Sequence, residues 1–376
     1  MKALILSGGK GTRLQPLTYT HAKQLVPVAN KPVLFYALEA IVSAGIFDIG
    51  IVVGDTHAEI EAAIQDGREF GSKVSITYIR QEQPLGLAHA VKIAQPFLQD
   101  DRFLMFLGDN FIGESLETTV QQFSAPNCSL HAQIFLKQVP NPQQFGVALL
   151  TDSAGASIVD FNGVDERELH VSHLVEKPRE PISNFALVGI YLFDHHIFEA
   201  VNAIRPSLRG ELEITDALQY LIEQGYLVRP HIVKSYWIDT GMMQDMLEAN
   251  RVVLSSIKRT IADSVDIDQS SQIDGEVILE ENVRLINSVV RGPAIIGHNV
   301  TLSNAYIGPF TAIAHDSLVI NSEIEHSIVL EGCRIYDINR RIEDSLIGCR
   351  TEIFPSSAKP RAYKLLLGDH SRIGIL

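Results

Sequence analysis

Apolar residues recur at every sixth position over the last third of this 376-residue chain, and this period restricts its fold more than any other feature. The first register contains Val277, Val283, Val289, Ile295, Ile307, Ile313 and Val319, and a second contains Val329, Ile335, Ile347 and Ile353. Such a period is typical of a parallel β-helix, in which every sixth side chain fills a narrow shared core. The sequence therefore predicts a β-helix, with roughly four coils of about 18 residues each over 277–354.

The first part of the chain follows a different pattern, in which short apolar runs alternate with helical periods. The predicted strands are Lys2–Ser7, Ile49–Val53, Val74–Ile79 and Phe103–Leu107, and the predicted helices are Pro32–Ala44, Ala58–Gly67 and Leu87–Leu98. This alternation predicts βαβ units and a mostly parallel sheet with helices on both faces. Ligands of such sheets bind beyond the carboxyl ends of the strands, so the loops there are where chemistry is expected.

These two patterns predict how the chain divides. An α/β domain is expected over 1–250, a connecting helix and linker over 251–265, and the β-helix over 266–376.

Composition and charge exclude several classes of protein. The 31 basic and 45 acidic residues give a net charge of −14, which argues against electrostatic binding to a nucleic-acid backbone. The longest apolar runs, such as Phe185–Phe193, fall short of the roughly 20 residues of a membrane span. The start of the chain offers no signal-peptide core, and three distant cysteines indicate neither a disulfide framework nor a zinc cluster. We therefore expect a reduced, cytoplasmic protein that binds neither nucleic acid nor membrane.

A glycine-rich loop directly follows the first predicted strand. The segment from Leu6 to Arg13 reads Leu-Ser-Gly-Gly-Lys-Gly-Thr-Arg, and its glycines let backbone amides approach an anion. It is neither a Walker A loop nor a dinucleotide fingerprint, because Gly11 follows the lysine and Leu14 stands at the third glycine position. Arg13 and Lys23 add two cations to the loop region, which indicates a polyphosphate site.

Further motifs follow in order across residues 6–241. The set is Gly8-Gly9-x-Gly11-Thr12-Arg13-Leu14-x-Pro16-x-Thr18, Lys23-Gln24-Leu25-x-Pro27, Asn30-Lys31-Pro32, Gln81 to Pro84 with Gly86-Leu87-Ala88, Leu107-Gly108-Asp109-Asn110, Phe145-Gly146-Val147, Glu176-Lys177-Pro178, Gly210 to Asp216, and Trp237-Ile238-Asp239-Thr240-Gly241. This set resembles the signature of the sugar-1-phosphate nucleotidyltransferases, and within them the thymidylyltransferase branch in its long form with a β-helix tail. The resemblance implies an α/β fold with a Rossmann-like mixed sheet (GT-A-like), followed by a left-handed parallel β-helix.

The resemblance also implies a reaction and a set of residues for it. A nucleoside triphosphate, here dTTP, would react with a sugar 1-phosphate, here glucose 1-phosphate, to give dTDP-glucose and pyrophosphate. The sugar-phosphate oxygen attacks the α-phosphorus in line, so catalysis consists mainly of positioning and neutralisation of charge. The implied catalytic residues are Arg13, Lys23 and Lys177. The implied nucleotide-binding residues are Leu6, Gly8, Gly9, Gly11, Thr12, Arg13, Gln81, Pro84, Gly86 and Asp109, and those for the sugar phosphate are Gly146, Glu176, Lys177 and Gly189.

Two carboxylates are implied to hold Mg²⁺. Asp109 follows the Phe103–Leu107 strand, and Asp239 follows the run Tyr236-Trp237-Ile238. Hard carboxylate oxygens suit this ion, which proteins usually share with substrate phosphates. Near the sugar, Pro178 is expected to hold Lys177 in extended backbone, because a residue before proline avoids the helical region.

The sequence leaves alternatives open. Phe145 and Val188 stand where the short-form relatives are expected to have Tyr and Thr, and both lose a hydroxyl that bears on sugar selectivity. UTP could replace dTTP, since a pocket that only tolerates the thymine methyl gains about 1 kcal/mol from it. The β-helix could instead carry acetyl transfer, although Ile338 occupies the position of the expected general-base histidine. A catalytically silent member is the third alternative.

The β-helix tail is predicted to serve assembly and stability, with no active site of its own. Exposed faces of stacked coils are commonly covered by other subunits, so a homo-oligomer is expected. Deletion of residues 266–376 is then expected to leave nucleotidyl transfer measurable.

Overall fold

The computed structural model describes residues 1–9, 11–19, 21–158, 161 and 165–356. These residues form two compact units. The first is drawn from the ranges Met1–Lys10 and Leu34–Asp239, and the second from Gly11–Val33 and Thr240–Leu376. The division into domains at 250 and 265 remains a prediction.

The secondary structure up to Asp239 alternates strands and helices. The strands are β1 (Lys2–Ser7), β2 (Pro27–Val28), β3 (Lys31–Pro32), β4 (Asp48–Val53), β5 (Ser75–Arg80), β6 (Phe103–Leu107), β7 (Asn110–Ile112), β8 (Ala132–Gln138), β9 (Gly146–Thr151), β10 (Ser157–Ile158), β11 (His170–Glu176), β12 (Phe185–Phe193), β13 (Val228–Ile232) and β14 (Trp237–Asp239). The α-helices are α1 (Val33–Ser43), α2 (His57–Ile64), α3 (Leu87–Ile93), α4 (Gln95–Leu98), α5 (Glu117–Ser124), α6 (Ile197–Ala203) and α7 (Ile214–Glu223). Short 3₁₀ helices span Thr12–Leu14, Leu17–Tyr19, Lys23–Leu25, Arg68–Phe70, Pro142–Gln144 and Glu166–Glu168.

A mixed sheet forms the centre of the first unit. Its strand order is β10-β9-β12-β6-β1-β4-β5, with β11 on β9, β8 on β12 and β13 on β8. Strand β1 lies between β4 and β6 and pairs parallel with both, as the alternating pattern predicted. The Rossmann-like mixed sheet is thus confirmed.

The expectation of a mostly parallel sheet is wrong for most strands that follow β7, although β13 pairs parallel with β8. Strand β12 runs antiparallel to β6, β8 and β9, and β9 also pairs antiparallel with β10 and β11. Short connections favour this arrangement, because a tight turn can join antiparallel neighbours whereas parallel ones need a long crossover. Between β9 and β10 the turn is closed by the Asp152 amide, which donates to the Ala156 carbonyl over 3.0 Å.

The predicted helices are present, with shifted ends. The helix expected over Leu87–Leu98 is divided at Ala94 into α3 and α4. Pro96 lies in the first turn of α4, where a residue without a backbone N–H is tolerated. In the interior of a longer helix the same proline would have removed a hydrogen bond, so α3 does not continue through it. None of the helices in the described part of the chain has both the length and the apolar character needed to cross a bilayer.

Over residues 240–356, the second unit contains one α-helix and a stack of short parallel strands. The helix is α8 (Met243–Leu254). The strands are β15 (Thr260–Ile261), β16 (Asp266–Ile267), β17 (Gln272–Asp274), β18 (Val277–Leu279), β19 (Arg284–Ile286), β20 (Val289–Arg291), β21 (Ala294–Ile296), β22 (Thr301–Ser303), β23 (Tyr306–Ile307), β24 (Thr311–Ile313), β25 (Leu318–Ile320), β26 (Glu323–Ile324), β27 (Ile328–Val329), β28 (Arg334–Tyr336), β29 (Leu346–Ile347) and β30 (Glu352–Ile353). They form parallel sheets of six, six and four strands among the described residues, which is the arrangement of a β-helix.

The β-helix begins earlier than its hydrophobic ladder suggests. Helix α8 ends at Leu254, where the connecting helix and linker were expected to begin at 251, and the first strand starts at Thr260. Strands β15 and β16 are exposed, so they carry no apolar ladder that the sequence could reveal. Each of the two larger sheets has six strands in the described range, and five of them lie within 277–354, where the sequence predicts roughly four coils.

The core of the β-helix follows most of the predicted apolar ladder and departs from it at two positions. Val277 and Val283 are fully buried as expected, but Val290 and Ile296 fill the core instead of Val289 and Ile295. Most neighbouring coils pair at an offset of 17 residues, as in Val277 opposite Ala294 and Arg284 opposite Thr301. A strict six-residue repeat would give an offset of 18 residues between neighbouring coils. The inward-facing position therefore shifts by one residue, and adjacent pairs of apolar residues hide this shift in the sequence.

Candidate active site

The part of the first unit that the sequence predicts to bind the nucleotide is built from the loops after three neighbouring strands. Gly8 follows β1, Gly54 follows β4 and Gln81 follows β5. A Cβ added to Gly8 would lie 3.0 Å from Gln81 Oε1, and one added to Gly54 would lie 3.0 Å from the Gly8 carbonyl oxygen. The glycines therefore allow backbone and amide side chain to approach closely at the carboxyl edge of the sheet, where ligands of such folds bind.

Gln81 and Gly86 form one local arrangement. Gln81 Nε2 lies 3.0 Å from His89 Nδ1 and donates to the Gly86 carbonyl over 3.4 Å. Gly86 has φ 103° and precedes α3, and a Cβ there would lie 2.4 Å from the Leu212 carbonyl oxygen. The Leu212 carbonyl accepts from the Ala88 amide over 3.1 Å, so the predicted Gly86-Leu87-Ala88 and Gly210 to Asp216 motifs are joined.

The predicted metal-binding carboxylates lie on adjacent backbone. Asp109 is in the turn between β6 and β7, and Asp239 is the last residue of β14. Strands β7 and β14 pair antiparallel with Asp239 opposite Asn110, the residue after Asp109. Asn110 Nδ2 donates to Asp109 Oδ1 over 3.2 Å, and its Oδ1 accepts from Trp237 Nε1 over 2.5 Å. Two half-buried carboxylates on paired strands form a donor set that fits a hard divalent cation.

Gly189 lies beside this acidic pair. It has φ 83° and interrupts the pairing of β12 with β8, where the register shifts between Leu187 and Tyr191. A Cβ there would lie 2.6 Å from Leu107 Cδ1 and 3.1 Å from Asn110 Nδ2. The glycine is thus required by a bulge that faces the Asp109 turn.

Three of the residues predicted to bind the sugar phosphate lie at the end of the β9–β11 pair. Glu176 lies opposite Gly146, and a Cβ on Gly146 would be 3.0 Å from Glu176 Oε2. Thr215 Oγ1 donates to the same oxygen over 3.4 Å, and Lys177 Nζ lies 3.6 Å from Glu176 Oε1. The structure therefore brings together Gly146, Glu176 and Lys177 as the sequence predicts.

Lys177 does not have the extended backbone that Pro178 led us to expect. Its φ is 41°, in the left-handed region that is uncommon for residues other than glycine. Its amide donates to the Phe145 carbonyl over 3.1 Å, so the end of the β9–β11 ladder holds this geometry. Such strained backbone costs about 1–3 kcal/mol and is concentrated at functional sites.

Arg209 is a neighbour of this cluster that the sequence analysis missed. Its Nη2 lies 3.4 Å from Glu176 Oε1, 3.1 Å from Glu211 Oε2 and 2.9 Å from Glu213 Oε2. Ser207 Oγ donates to Glu213 Oε1 over 2.7 Å and completes the network. Burial raises the pKa of Glu176, while Lys177 opposes the rise and Glu213 adds to it. A carboxylate with two cations close to one of its oxygens fits recognition of a hydroxylated anion.

The second unit holds the other end of the glycine-rich segment. Gly11 has φ 61° and precedes the Thr12–Leu14 turn, and its carbonyl accepts from Thr18 Oγ1 over 2.6 Å. A Cβ on Gly11 would lie 2.9 Å from Lys23 Cβ. Lys23 is only 6 % exposed, so the loop places a buried cation next to the phosphate-loop backbone.

Arg13 packs against the segment that leads into α8. A Cβ on Gly241 would lie 2.6 Å from Arg13 Nη2, so a larger residue there would require the guanidinium to shift. Asp245 in the first turn of α8 accepts from the Met242 amide over 2.9 Å. Burial raises the pKa of Asp245, and the positive charges of Arg13 and Lys23 oppose that rise. Asp245 thus acts electrostatically on both predicted catalytic cations within this unit.

Gln24 is a second residue that sequence reasoning missed. Its side chain is 2 % exposed, and its Oε1 has no hydrogen-bond partner among the described residues. A buried acceptor left unpaired costs about 1–3 kcal/mol, and such groups often await a ligand. Its place directly after Lys23 was the only signal in the sequence.

The remaining predicted nucleotide-binding residues are divided between the two units. Leu6 is buried in β1, Gly9 and Pro84 are exposed on loops, and Thr12 is exposed at the start of a 3₁₀ helix. Leu6, Gly8 and Gly9 belong to the first unit and Gly11, Thr12 and Arg13 to the second, and Lys10 lies outside the described residues. The structure does not test the role assigned to any of these residues.

Comparison with known proteins identifies the family of these motifs. Residues 2–256 match the family model described as Nucleotidyl transferase. The chain belongs to the nucleotidyl transferase family. It is therefore a nucleotidyltransferase, and the enzyme class predicted from the sequence is confirmed.

Similar proteins extend the match beyond the family domain. A glucose-1-phosphate thymidylyltransferase of Streptomyces griseus is 51% identical over 375 residues, which cover 100% of this chain and 99% of that protein. One of Streptomyces antibioticus is 48% identical over the same shares of both chains. Among solved structures, a UDP-glucose pyrophosphorylase complexed with UDP-glucose is 25% identical with a TM-score of 0.58, and the match covers 68% of this chain and 98% of that one. The similarity to the two Streptomyces enzymes therefore continues through the β-helix tail of this chain.

Proposed function

We propose that this nucleotidyltransferase transfers a thymidylyl group from dTTP to glucose 1-phosphate and releases pyrophosphate. The observation that carries the proposal is the 51% identity along essentially the whole of both chains with an enzyme named for that reaction. The bond that forms joins the sugar-phosphate oxygen to the α-phosphorus, and the bond that breaks joins the α-phosphorus to the leaving pyrophosphate.

The sugar phosphate is proposed to bind at the Glu176–Lys177 end. The Lys177 ammonium would hold the phosphate, and Glu176 would accept hydrogen bonds from sugar hydroxyls. Support comes from their 3.6 Å contact, from Arg209 Nη2 at 3.4 Å from the same Glu176 oxygen, and from the close approach allowed at Gly146. The 5.1 Å contact between the Phe145 and Trp237 rings gives an apolar wall in place of the hydroxyl expected at position 145.

The triphosphate is proposed to bind at the glycine-rich segment. Arg13 would neutralise the triphosphate and the departing pyrophosphate, and Lys23 would bridge the α-phosphate and the attacking oxygen. The burial of Lys23 supports this assignment, because a buried cation with an anionic ligand is stabilised far more than a solvated one. Asp245 would keep both cations in place before substrate arrives.

Asp109 and Asp239 are proposed to bind Mg²⁺. Members of this family use a divalent metal. Two carboxylate oxygen donors on adjacent backbone favour Mg²⁺, which is a hard ion. When bound, the ion would neutralise phosphate charge. The chain's own contribution is to orient Asp109 through Asn110 and Trp237.

The base is proposed to be read by the Gln81–Gly86 arrangement. An amide side chain can both donate to and accept from a pyrimidine edge, and the Gly86 backbone adds a second contact. Because the thymine methyl adds only about 1 kcal/mol, UTP remains the alternative nucleotide. Acetyl transfer by the tail is less well supported, since Ile338 packs against the apolar core of the β-helix.

One experiment tests the proposal. Pyrophosphate release is measured with each of dTTP, UTP, dCTP and dATP against glucose 1-phosphate, glucosamine 1-phosphate and galactose 1-phosphate. The proposal expects the highest kcat/KM for dTTP with glucose 1-phosphate. A clear preference for UTP would establish the uridylyl alternative, and acetyl-CoA turnover by the same preparation would make the protein bifunctional.

We propose a cytoplasmic homo-oligomer that binds neither nucleic acid nor membrane. The support is the net charge of −14, the three free cysteines, and an exposed outer column on the β-helix that includes Ile286 and Phe354. Sedimentation of the purified chain tests the oligomeric state.

A further inference from the structure

The turn after the Lys23 segment is fixed by two asparagine side chains. Lys23–Leu25 leads into β2, which pairs with β3 through a two-residue turn at Ala29 and Asn30. Both turn residues have positive φ, 47° and 61°, in a geometry that most residues disfavour. The Ala29 amide donates to Asn250 Oδ1 over 2.9 Å, and Asn30 Nδ2 donates to the Ile313 carbonyl over 2.9 Å. The turn is therefore held from outside its own sequence.

Asn250 connects three parts of the second unit. It is on α8, is 1 % exposed, and its Nδ2 donates to the Phe310 carbonyl over 2.9 Å. One amide therefore binds the turn at Ala29 and the β-helix at Phe310. Since an asparagine has one acceptor and two donors, no other side chain of this size could satisfy both backbone groups in the same geometry.

Apolar contacts reinforce the same connection. Ala29, Leu254, Ile295 and Ala312 form one buried cluster, to which the turn, the helix and two coils each contribute. The same helix places Asp245 within electrostatic reach of Arg13 and Lys23. Helix α8 thus spans from the two cations at its start to the turn and the β-helix at its centre and end.

We propose that Asn30 and Asn250 are positioning residues for nucleotidyl transfer, and that through them the β-helix fixes the segment that carries Arg13 and Lys23. This inference rests on the proposed roles of those two cations. Displacement of a positioned group by about 1 Å can lower a rate by two orders of magnitude, so loss of these bonds is expected to act on catalysis as well as on folding.

The test uses the full chain with three single variants. Asn30→Gly tolerates the positive φ and removes only the bond to Ile313, while Asn250→Ala removes the bonds to Ala29 and Phe310. Asn304→Gly is the matched control, because Asn304 is exposed and has φ 48°. Its side chain donates to Asn321 Oδ1 over 2.9 Å and accepts from Asn287 Nδ2 over 3.0 Å, both within the β-helix. Thermal unfolding, kcat and the KM values for nucleotide and sugar phosphate are measured for each.

The proposal expects Asn30→Gly and Asn250→Ala to lower kcat/KM for the nucleotide by about tenfold or more, with a smaller change in KM for the sugar phosphate. Asn304→Gly is expected to leave both values within about twofold of the parent chain. Kinetics in the first two variants that match those of Asn304→Gly would overturn the inference. Because Arg13→Ala tests the proposed function separately, an inactive Arg13 variant beside unaffected asparagine variants would remove this inference and leave the function in place.

Discussion

Asp239 lies opposite Asn110 in the two-stranded ladder of β7 and β14, so that the two carboxylates proposed to bind metal project from neighbouring backbone. The residues are far apart in sequence, and a short strand of three residues on each side brings them together. Asn110 also donates to Asp109, so the same asparagine orients one carboxylate and lies opposite the other in the ladder.

Loss of either carboxylate is expected to raise the metal requirement. Asp109→Asn and Asp239→Asn keep the size of the side chain but remove its charge, so the concentration of Mg²⁺ for half-maximal activity should rise at least about tenfold. Metal titrations of pyrophosphate release measure this. Asp66→Asn, at an exposed residue that pairs with Arg68 over 3.0 Å, is the control. Full activity of the parent chain in excess chelator would contradict both assignments.

Arg13→Ala is expected to lower turnover by at least about 10² while the melting temperature changes little. The reason is that a preorganised charge acts mainly on the transition state. Steady-state kinetics and thermal unfolding are compared with Arg68→Ala, a substitution at an exposed arginine. Near-normal turnover in a folded Arg13→Ala variant would remove this residue from the mechanism.

Gly86→Ala is expected to impair nucleotide binding more than stability alone explains. The added Cβ would lie 2.4 Å from the Leu212 carbonyl oxygen, in addition to the strain of a φ of 103°. Gly45→Ala is the matched control, because Gly45 has φ 83° with open space around its Cβ position. We expect about 1 kcal/mol of destabilisation for Gly45→Ala and a larger loss for Gly86→Ala, together with a raised nucleotide KM. Equal effects of the two substitutions would contradict the steric argument.

An ion triad around His231 predicts a pH dependence of stability. His231 Nε2 lies 2.6 Å from Glu114 Oε1, and Nδ1 lies 3.5 Å from Glu166 Oε2. Burial alone would lower the pKa of His231, but hydrogen bonds with Glu114 and Glu166 raise it to about 9. A folded-state pKa above the unfolded value of about 6.5 means that the stabilisation is complete below pH 6.5 and is lost as the pH rises through 9.

The substitution His231→Gln tests this dependence. It should destabilise the protein by an amount on the order of 1–3 kcal/mol at pH 6, and the difference from the parent chain should shrink towards pH 10. Denaturant unfolding at both pH values measures it. A difference that is constant across this range would show that His231 acts by packing, for instance through its 4.7 Å ring contact with Phe135.

Removal of the β-helix is now expected to abolish transfer, contrary to the expectation from sequence. The apolar cluster of Ala29, Leu254, Ile295 and Ala312 would lose its two β-helix members, and Asn30 would lose its acceptor at Ile313. The segment with Arg13 and Lys23 would then lack support. A chain that ends at residue 265 is compared with the full chain in pyrophosphate release and thermal unfolding. Retained activity in a folded, shortened chain would restore the earlier expectation.

The sequence predicted the sheet better than it predicted the contacts around the site. Strand Phe103–Leu107 has the predicted bounds, because a short, fully apolar run with polar flanks has one clear interpretation. The motifs likewise placed Glu176 beside Gly146, since each ends or begins a strand of the same pair. The local sequence pattern was sufficient to predict which residues lie close together where the pairing of their strands brings them together.

Contacts made across long sequence separations were not predictable. Asp245 has the ordinary appearance of an acid in the first turn of a helix, and only the fold brings it near Arg13 and Lys23. Arg209 belongs to a glycine-flanked loop whose carboxylate partners could equally have been solvated. The prediction that Val289 fills the core was wrong for a different reason. Of the two adjacent valines, Val289 fits a period of six residues, whereas Val290 fits the offset of 17 residues between coils.

The 17-residue offset that most neighbouring coils share has a consequence for how such a protein can change over generations. Each coil touches only its immediate neighbours, so an in-frame duplication of one coil's codons would lengthen the solenoid by one step without altering the pairing of the others. Ala312 and Ile313, by contrast, are tied to the asparagine turn, so coils near them cannot be exchanged as freely. Selection can therefore adjust the far end of the solenoid in length while the coils beside the turn stay under the constraint of catalysis.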